Sequence, residues 1–187
     1  MDKRKEILIK DLQDGEREIR SLSAEALERI QLRQNLGRLT RTIEAGEMLE
    51  KINALYAVAE LKGRKIIELI SRALKDPAED VRAAAIRALG GMDDNRVLSP
   101  LVDALQDSSP IVLRSAIDAM SRYNDIRLIG PLMRMLNNND AGVVEKAIDV
   151  IGRIGDMRAE KAMLFFAAKG NRRMRALAIK ALGVMDS

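Results

Sequence analysis

From Asp76 to Gly183 the chain repeats itself every 31 residues, and no other feature restricts its fold as strongly. Ala85, Ala116, Ala147 and Ala178 share one position of the repeat, Ile86, Ile117, Ile148 and Ile179 the next, and Leu89, Met120, Ile151 and Leu182 a third. In the second half of the unit Leu101, Leu132 and Met163 keep the same step, as do Leu105 and Leu136, with Asp94, Asp125, Asp156 and Arg96, Arg127, Arg158 ahead of them. Self-similarity at a period between about 20 and 50 residues marks an array of stacked structural units. Each unit reads as two amphipathic helices joined by a turn. The expected fold is therefore all-α, a right-handed α-solenoid of stacked helical hairpins.

The register extends towards the N-terminus. Steps of 31 back from Leu101 and Leu105 land on Ile70 and Leu74, then Leu39 and Ile43, then Leu8 and Leu12. The segment LQDGEREIRSLSAEAL (12–27) parallels LKDPAEDVRAAAIRAL (74–89), matching Asp14 with Asp76, Arg20 with Arg82 and Leu27 with Leu89. The whole chain, 1–187, is expected to be one repeat domain: a half unit at 1–13, units at 14–44, 45–75, 76–106, 107–137 and 138–168, and a half unit at 169–187. Residues 29–50 carry no Pro or Asp-rich turn, only Gly37 and Gly46, so helices there are expected to fuse or shift.

In the third unit Asp76 is placed to cap the first helix, with Pro77 at its first position and Glu79 at the third. Val81, Ala84, Ala85, Ala88 and Leu89 form its apolar stripe, and Gly90 and Gly91 end it. A second helix begins near Asp94 and presents Val97, Leu98, Leu101, Val102 and Leu105. Neither helix buries its stripe alone. Each buried Leu, Ile or Val contributes roughly 1.5–3 kcal/mol, so stability has to come from stacking hairpin on hairpin, and the alanine column permits close approach.

Composition removes most catalytic chemistries. The chain has no Cys and no His, which excludes disulfides, thiolate nucleophiles, zinc thiolate sites, imidazole bases and His-ligated metals. No cofactor is expected. The opening residues MDKRKEILIKDLQDGE hold only a three-residue apolar run, Ile7 to Ile9, which fits neither a signal peptide nor a membrane span and makes a cytoplasmic protein the expectation. The net charge of +4 is unevenly placed: residues 1–168 carry 27 basic and 27 acidic side chains, and residues 169–187 carry five basic and one acidic.

The pattern Asp-Pro-x-x-x-Val-Arg-x-x-Ala-x-x-Ala-Leu-Gly at Asp76–Gly90, with Gly-Asp-x-Arg-Ala at Gly155–Ala159, resembles the HEAT-like repeats of the phycobilisome-lyase type. The likeness is close over 74–185 and looser over 1–73. It implies that the first helices form a convex face and the second helices line a concave groove that holds a partner. Three enzymatic branches use related repeats. The iron-dependent hydroxylases bind metal through His-Glu pairs, and this chain has no His. The alkyl-purine glycosylases use Trp among other aromatics, and this chain has no Trp. Bilin lyases remain as an alternative, in which this chain is a regulatory or chaperone subunit, although no residue pattern marks a tetrapyrrole pocket.

Three surface features are candidates for function. Lys10, Arg41, Arg72, Asp103, Arg134 and Phe165 lie two residues after the core positions of the second helices, roughly 200° around the helix. They are expected to point into the groove, where a mostly basic row suits an acidic peptide or protein partner, with Phe165 as an apolar anchor. The recurring Asp-x-Arg element is read as structural, each Asp capping a second helix and each Arg bonding across to a neighbouring repeat. Lys169, Arg172, Arg173, Arg175 and Lys180 form a basic cluster able to meet phosphate, but the absence of interleaved aromatics argues against a single-strand nucleic-acid platform. The final half unit has no second helix of its own, so its exposed apolar residues are expected to support self-association or docking of a partner. The function expected is a non-catalytic scaffold or adaptor.

Overall fold

The computed structural model describes residues 3–185, and eleven α-helices account for most of them. They are α1 (Lys3–Asp11), α2 (Arg17–Ala45), α3 (Met48–Ala59), α4 (Arg64–Arg72), α5 (Glu79–Gly90), α6 (Leu98–Asp103), α7 (Pro110–Met120), α8 (Ile129–Met135), α9 (Ala141–Ile154), α10 (Glu160–Lys169) and α11 (Arg172–Leu182). Helices α3, α5, α7, α9 and α11 stack directly on one another as a first layer. Helices α4, α6, α8 and α10 form a second layer. A 3-10 turn leads into each of α6, α8 and α10, and another follows α4 and α6. The fold is an all-α solenoid.

The aligned columns fill the interior. Ala85, Ala116, Ala147 and Ala178 are wholly buried, as are Ile86, Ile117 and Ile148 and the second-layer residues Ile70, Leu101, Leu132 and Met163. Close approach in the first layer goes further than alanine allows. A Cβ on Gly90 would lie 2.6 Å from the Cβ of Ala119, and one on Gly152 would lie 2.6 Å from that of Ala181. Side-chain-free positions two periods apart thus meet alanines two periods apart, so the same contact joins α5 to α7 and α9 to α11.

The interior thins towards the ends. Leu8 and Leu39 are only half-buried, Leu12 is exposed, and Ile179, the fourth member of the isoleucine column, is 57% exposed. Residues 14–44 do not form a hairpin. α2 runs unbroken from Arg17 to Ala45 because the positions that hold Gly90, Gly91 and Asp94 in the third unit are here Glu28, Arg29 and Leu32, which continue a helix. The capping expected of Asp76 is also displaced: α5 begins at Glu79 with Ala78 at the cap, and Asp76 instead closes the preceding turn, its Oδ1 accepting from Ala78 N at 2.9 Å.

Two substitutions test this packing. Gly90→Leu is expected to overpack the α5–α7 contact and cost about 1–3 kcal/mol, lowering the midpoint of thermal unfolding by several degrees. Gly37→Ala, in the exposed middle of α2 with nothing within 4 Å of its Cβ, is expected to raise the midpoint, since alanine favours a helix over glycine by roughly 0.8–1 kcal/mol. Circular dichroism melts read both. A Gly90→Leu midpoint equal to the parent's would contradict the close approach.

Candidate functional site

The second-layer helices carry the face on which the sequence places a groove. Arg41 on α2, Arg72 on α4, Asp103 on α6, Arg134 on α8 and Phe165 on α10 are all exposed, Phe165 at 59%. Between α4 and α6 lies a cleft of about 1050 Å³ whose lining includes Arg72 and Asp103. Its apolar surface comes from Ile67, Leu74, Pro100 and Ala104, and Arg64, Lys75 and Arg96 stand around it. Arg72 meets Glu44 of α2 at 3.4 Å, and Arg41 Nε donates to the Gly37 carbonyl at 3.3 Å. Lys10, also exposed, lies near the C-terminal end of α1, whose Lys5 donates to Gln34 of α2 at 2.8 Å.

The Asp-x-Arg elements are local clasps. Asp94, Asp125 and Asp156 each accept from the backbone N–H of the Arg two residues on and cap the 3-10 turn that enters α6, α8 or α10. The Arg side chains do not span repeats as expected. Each guanidinium folds back onto its own Asp, since two residues of separation leave it within reach, and only Arg158 also touches the preceding repeat, at the Ile126 carbonyl. Side-chain hydrogen bonds from these arginines, helped by the backbone bond, hold all three carboxyls below their ordinary value, Asp94 down to about 2.

Contacts between repeats are made by a different ladder. Lys51 reaches Asp76 at 2.7 Å; Arg82 donates through Nε and Nη2 to both oxygens of Asp107, at 2.7 and 3.1 Å; Arg114 reaches Asp140 at 2.8 Å. In the last rung the signs reverse, Arg173 of α11 meeting Glu145 of α9 at 3.2 Å. Burial pushes the Asp107 carboxyl up, but the Arg82 guanidinium and the Ser109 amide outweigh it and hold the group below its ordinary value. Ser109 also donates to Glu79 and Tyr123 to the Met92 carbonyl, both one repeat away. The ladder escaped the sequence reading although its signal was present: a basic residue at 51 and 82 and an aspartate at 76 and 107 keep a constant offset of 25 across adjacent units.

Of the basic cluster, Lys169, Arg172, Arg173, Arg175 and Lys180 are all exposed, on the end of α10 and on α11. The start of α11 is capped by its own chain, Asn171 Oδ1 accepting from the backbone N–H groups of Arg173 and Met174 at 2.9 Å each. Arg175 Nε donates to the Ala167 carbonyl. Among the described residues no helix is long and apolar enough to cross a membrane.

Stacked first helices, shorter second helices and contacts confined to adjacent units define the protein as a repeat solenoid. The family profile for HEAT repeats matches residues 48–121 and 66–149, and the chain belongs to that family. Comparison with curated protein sequences finds no match. Among solved structures, the fold is similar to a designed armadillo repeat protein in complex with the peptide (KR)4, with a TM-score of 0.62, 17% identity, and coverage of 96% of this chain and 98% of that one. It is also similar to the complex of CpcE and CpcF of phycocyanin lyase from Nostoc sp. PCC7120, with a TM-score of 0.52, 19% identity and coverage of 97% and 76%. Human deoxyhypusine hydroxylase in complex with glycerol gives a TM-score of 0.61 at 20% identity, over 84% of this chain and 65% of that one. The likeness to the phycocyanin lyase complex agrees with the repeat type suggested by the sequence.

The clasps and rungs make stability depend on pH in a defined direction. The carboxylates of Asp94, Asp107, Asp125, Asp140 and Asp156 are held below their unfolded value, so their contribution is complete above roughly pH 4 and is lost as pH falls through the folded value, about 2 for Asp94. Urea denaturation is expected to show stability falling between those limits. Asp107→Asn is expected to cost about 1–3 kcal/mol near neutral pH by leaving Arg82 without its carboxylate, and to make the acid-side fall shallower. An acid limb identical to the parent's would show that the Arg82–Asp107 rung does not titrate there.

Proposed function

We propose that this chain is a non-catalytic scaffold or adaptor that holds an acidic segment of a partner protein along its second-layer face. The observation that carries this reading is the α4–α6 cleft, whose lining joins apolar Ile67, Leu74, Pro100 and Ala104 to four cations, Arg64, Arg72, Lys75 and Arg96, against three carboxylates, Glu68, Asp103 and Asp107, in a row continued by Arg41 and Arg134. Apolar contact supplies affinity in such a site and the cations supply orientation and choice of partner. Phe165, exposed at the C-terminal end of the row, is the anchor for an apolar residue of the partner. The designed armadillo protein of similar fold is in complex with a peptide of alternating Lys and Arg; the mostly basic row here favours a peptide of opposite sign.

The test compares the parent with a variant carrying Arg41→Glu, Arg72→Glu and Arg134→Glu, using fluorescence anisotropy of a labelled Glu/Leu-rich peptide and a Lys/Leu-rich control. The parent is expected to bind the acidic peptide in preference to the basic one. The variant is expected to lose at least about tenfold in affinity for it, which corresponds to 1.4 kcal/mol. Equal binding of the acidic peptide by parent and variant would overturn the groove as the site.

A further inference from the structure

The start of α2 and the last helix carry opposite charge in matching register, whereas α1 itself (Lys3–Asp11) is net basic, with Lys3, Arg4, Lys5 and Lys10 against Glu6 and Asp11. Residues 11–28 hold six acidic and two basic side chains, whereas residues 169–185 hold five basic and no acidic ones. The apolar surfaces match as well. Ile179 is exposed where Ile86, Ile117 and Ile148 are buried against the following repeat. Leu22 occupies the repeat position of the buried Ala84 and is 58% exposed. The start of α2 also has the geometry of an internal repeat. Asp14 Oδ1 accepts from Glu16 N at 2.8 Å as Asp107 Oδ1 does from Ser109 N. Arg20 donates to the carbonyls of Asp14 and Gly15 as Arg82 does to those of Asp76 and Pro77. The α1–α2 end therefore presents the surface by which an inner repeat meets the one before it, and α11 the surface that meets the one after.

The internal contacts can be carried forward by whole periods onto these two surfaces. The Arg82–Asp107 rung then becomes Arg175 opposite Asp14, and the Glu79–Ser109 contact becomes Arg172 opposite Glu16. Tyr56, whose hydroxyl accepts from Arg87 one period on, becomes Lys180 opposite Glu25. The Gly90–Ala119 approach becomes Gly183 against Ala26. Every charged pair so generated joins opposite signs, and the one glycine again meets an alanine. We propose that this chain associates head to tail with a second copy of itself, α11 of one copy packing against α1 and the start of α2 of the next. The two elements complete one hairpin, α11 supplying the first-layer helix and α1 the second. A contact between unlike surfaces of this kind propagates into a filament or closes into a ring. It is independent of what the second-layer face binds.

The test uses the 187-residue chain and two charge-reversed forms, one carrying Arg172→Glu and Lys180→Glu, the other Glu16→Arg and Glu25→Arg. All four positions are exposed, and circular dichroism verifies that both forms fold. Mass by light scattering from the micromolar to the millimolar range is expected to rise beyond that of one copy for the parent. Each reversed form alone is expected to stay at the mass of one copy, because like charges then face each other at the joint. Mixing the two forms in equal amounts restores opposite charges at every joint between unlike copies, and growth in mass is expected to return. A parent that keeps the mass of one copy throughout overturns the proposal. So do reversed forms that assemble like the parent, and a mixture that does not grow.

Discussion

The separation between successive first-layer helices governs the rest of the molecule. It is set where α5 meets α7 and α9 meets α11, at points with no room for a Cβ on Gly90 or Gly152. Interiors packed at this density leave no slack for an added methyl group. At these crossings the first-layer helices are therefore lined with alanine and glycine, and the larger buried side chains come from both layers, Ile86, Ile117 and Ile148 of the first and Leu101, Leu132 and Met163 of the second. The second-layer helices are kept short and are bounded by 3-10 turns, and between two of them the α4–α6 cleft opens.

Apolar stacking has no direction of its own, and a column of alanines and isoleucines would tolerate sliding along the helix. The ion pairs between repeats remove that freedom. Arg82 grips both oxygens of Asp107 with two parallel hydrogen bonds, a geometry that a shift of one helical turn would break. The Asp-x-Arg clasps act on a smaller scale. Asp94, Asp125 and Asp156 fix where each second-layer segment begins, and by holding Arg96, Arg127 and Arg158 close they keep those cations at the rim of the surface instead of across it.

Much of this was legible in the sequence because a repeated contact writes itself several times. The alanine and isoleucine columns, the capping aspartates and the layer of second helices could be read from spacing alone. What escaped had one of two causes. Some features depend on the absence of a signal: fusion of helices within 29–50 was expected from the missing turn residues and is seen in α2, but the register still drew 14–44 as a separate hairpin, where the residues at the turn position simply continue the helix. Others are relations between columns: the partner of Arg82 lies in the next unit, and alignment of like with like does not pair an arginine with an aspartate 25 residues on. The clasping arginines were misjudged for a related reason, since spacing gives the address of a side chain but not which of two carboxylates it can reach at least cost in rotamer freedom.

The unbroken α2 has a mechanical meaning. It packs with both α1 and α3, Lys5 of α1 reaching Gln34, while Arg29 and Arg33 pass the end of α3 beside Leu61 and Lys62. An arm and a stack joined by a loop can swivel. Joined by one 29-residue helix, they form a single rigid beam about 43 Å long, with its elbow angle written into hydrogen bonds. A force or a neighbour acting on α1 is therefore felt at α3 as torque, and the pitch of anything built from this chain is set in the interior of one helix and not in a hinge.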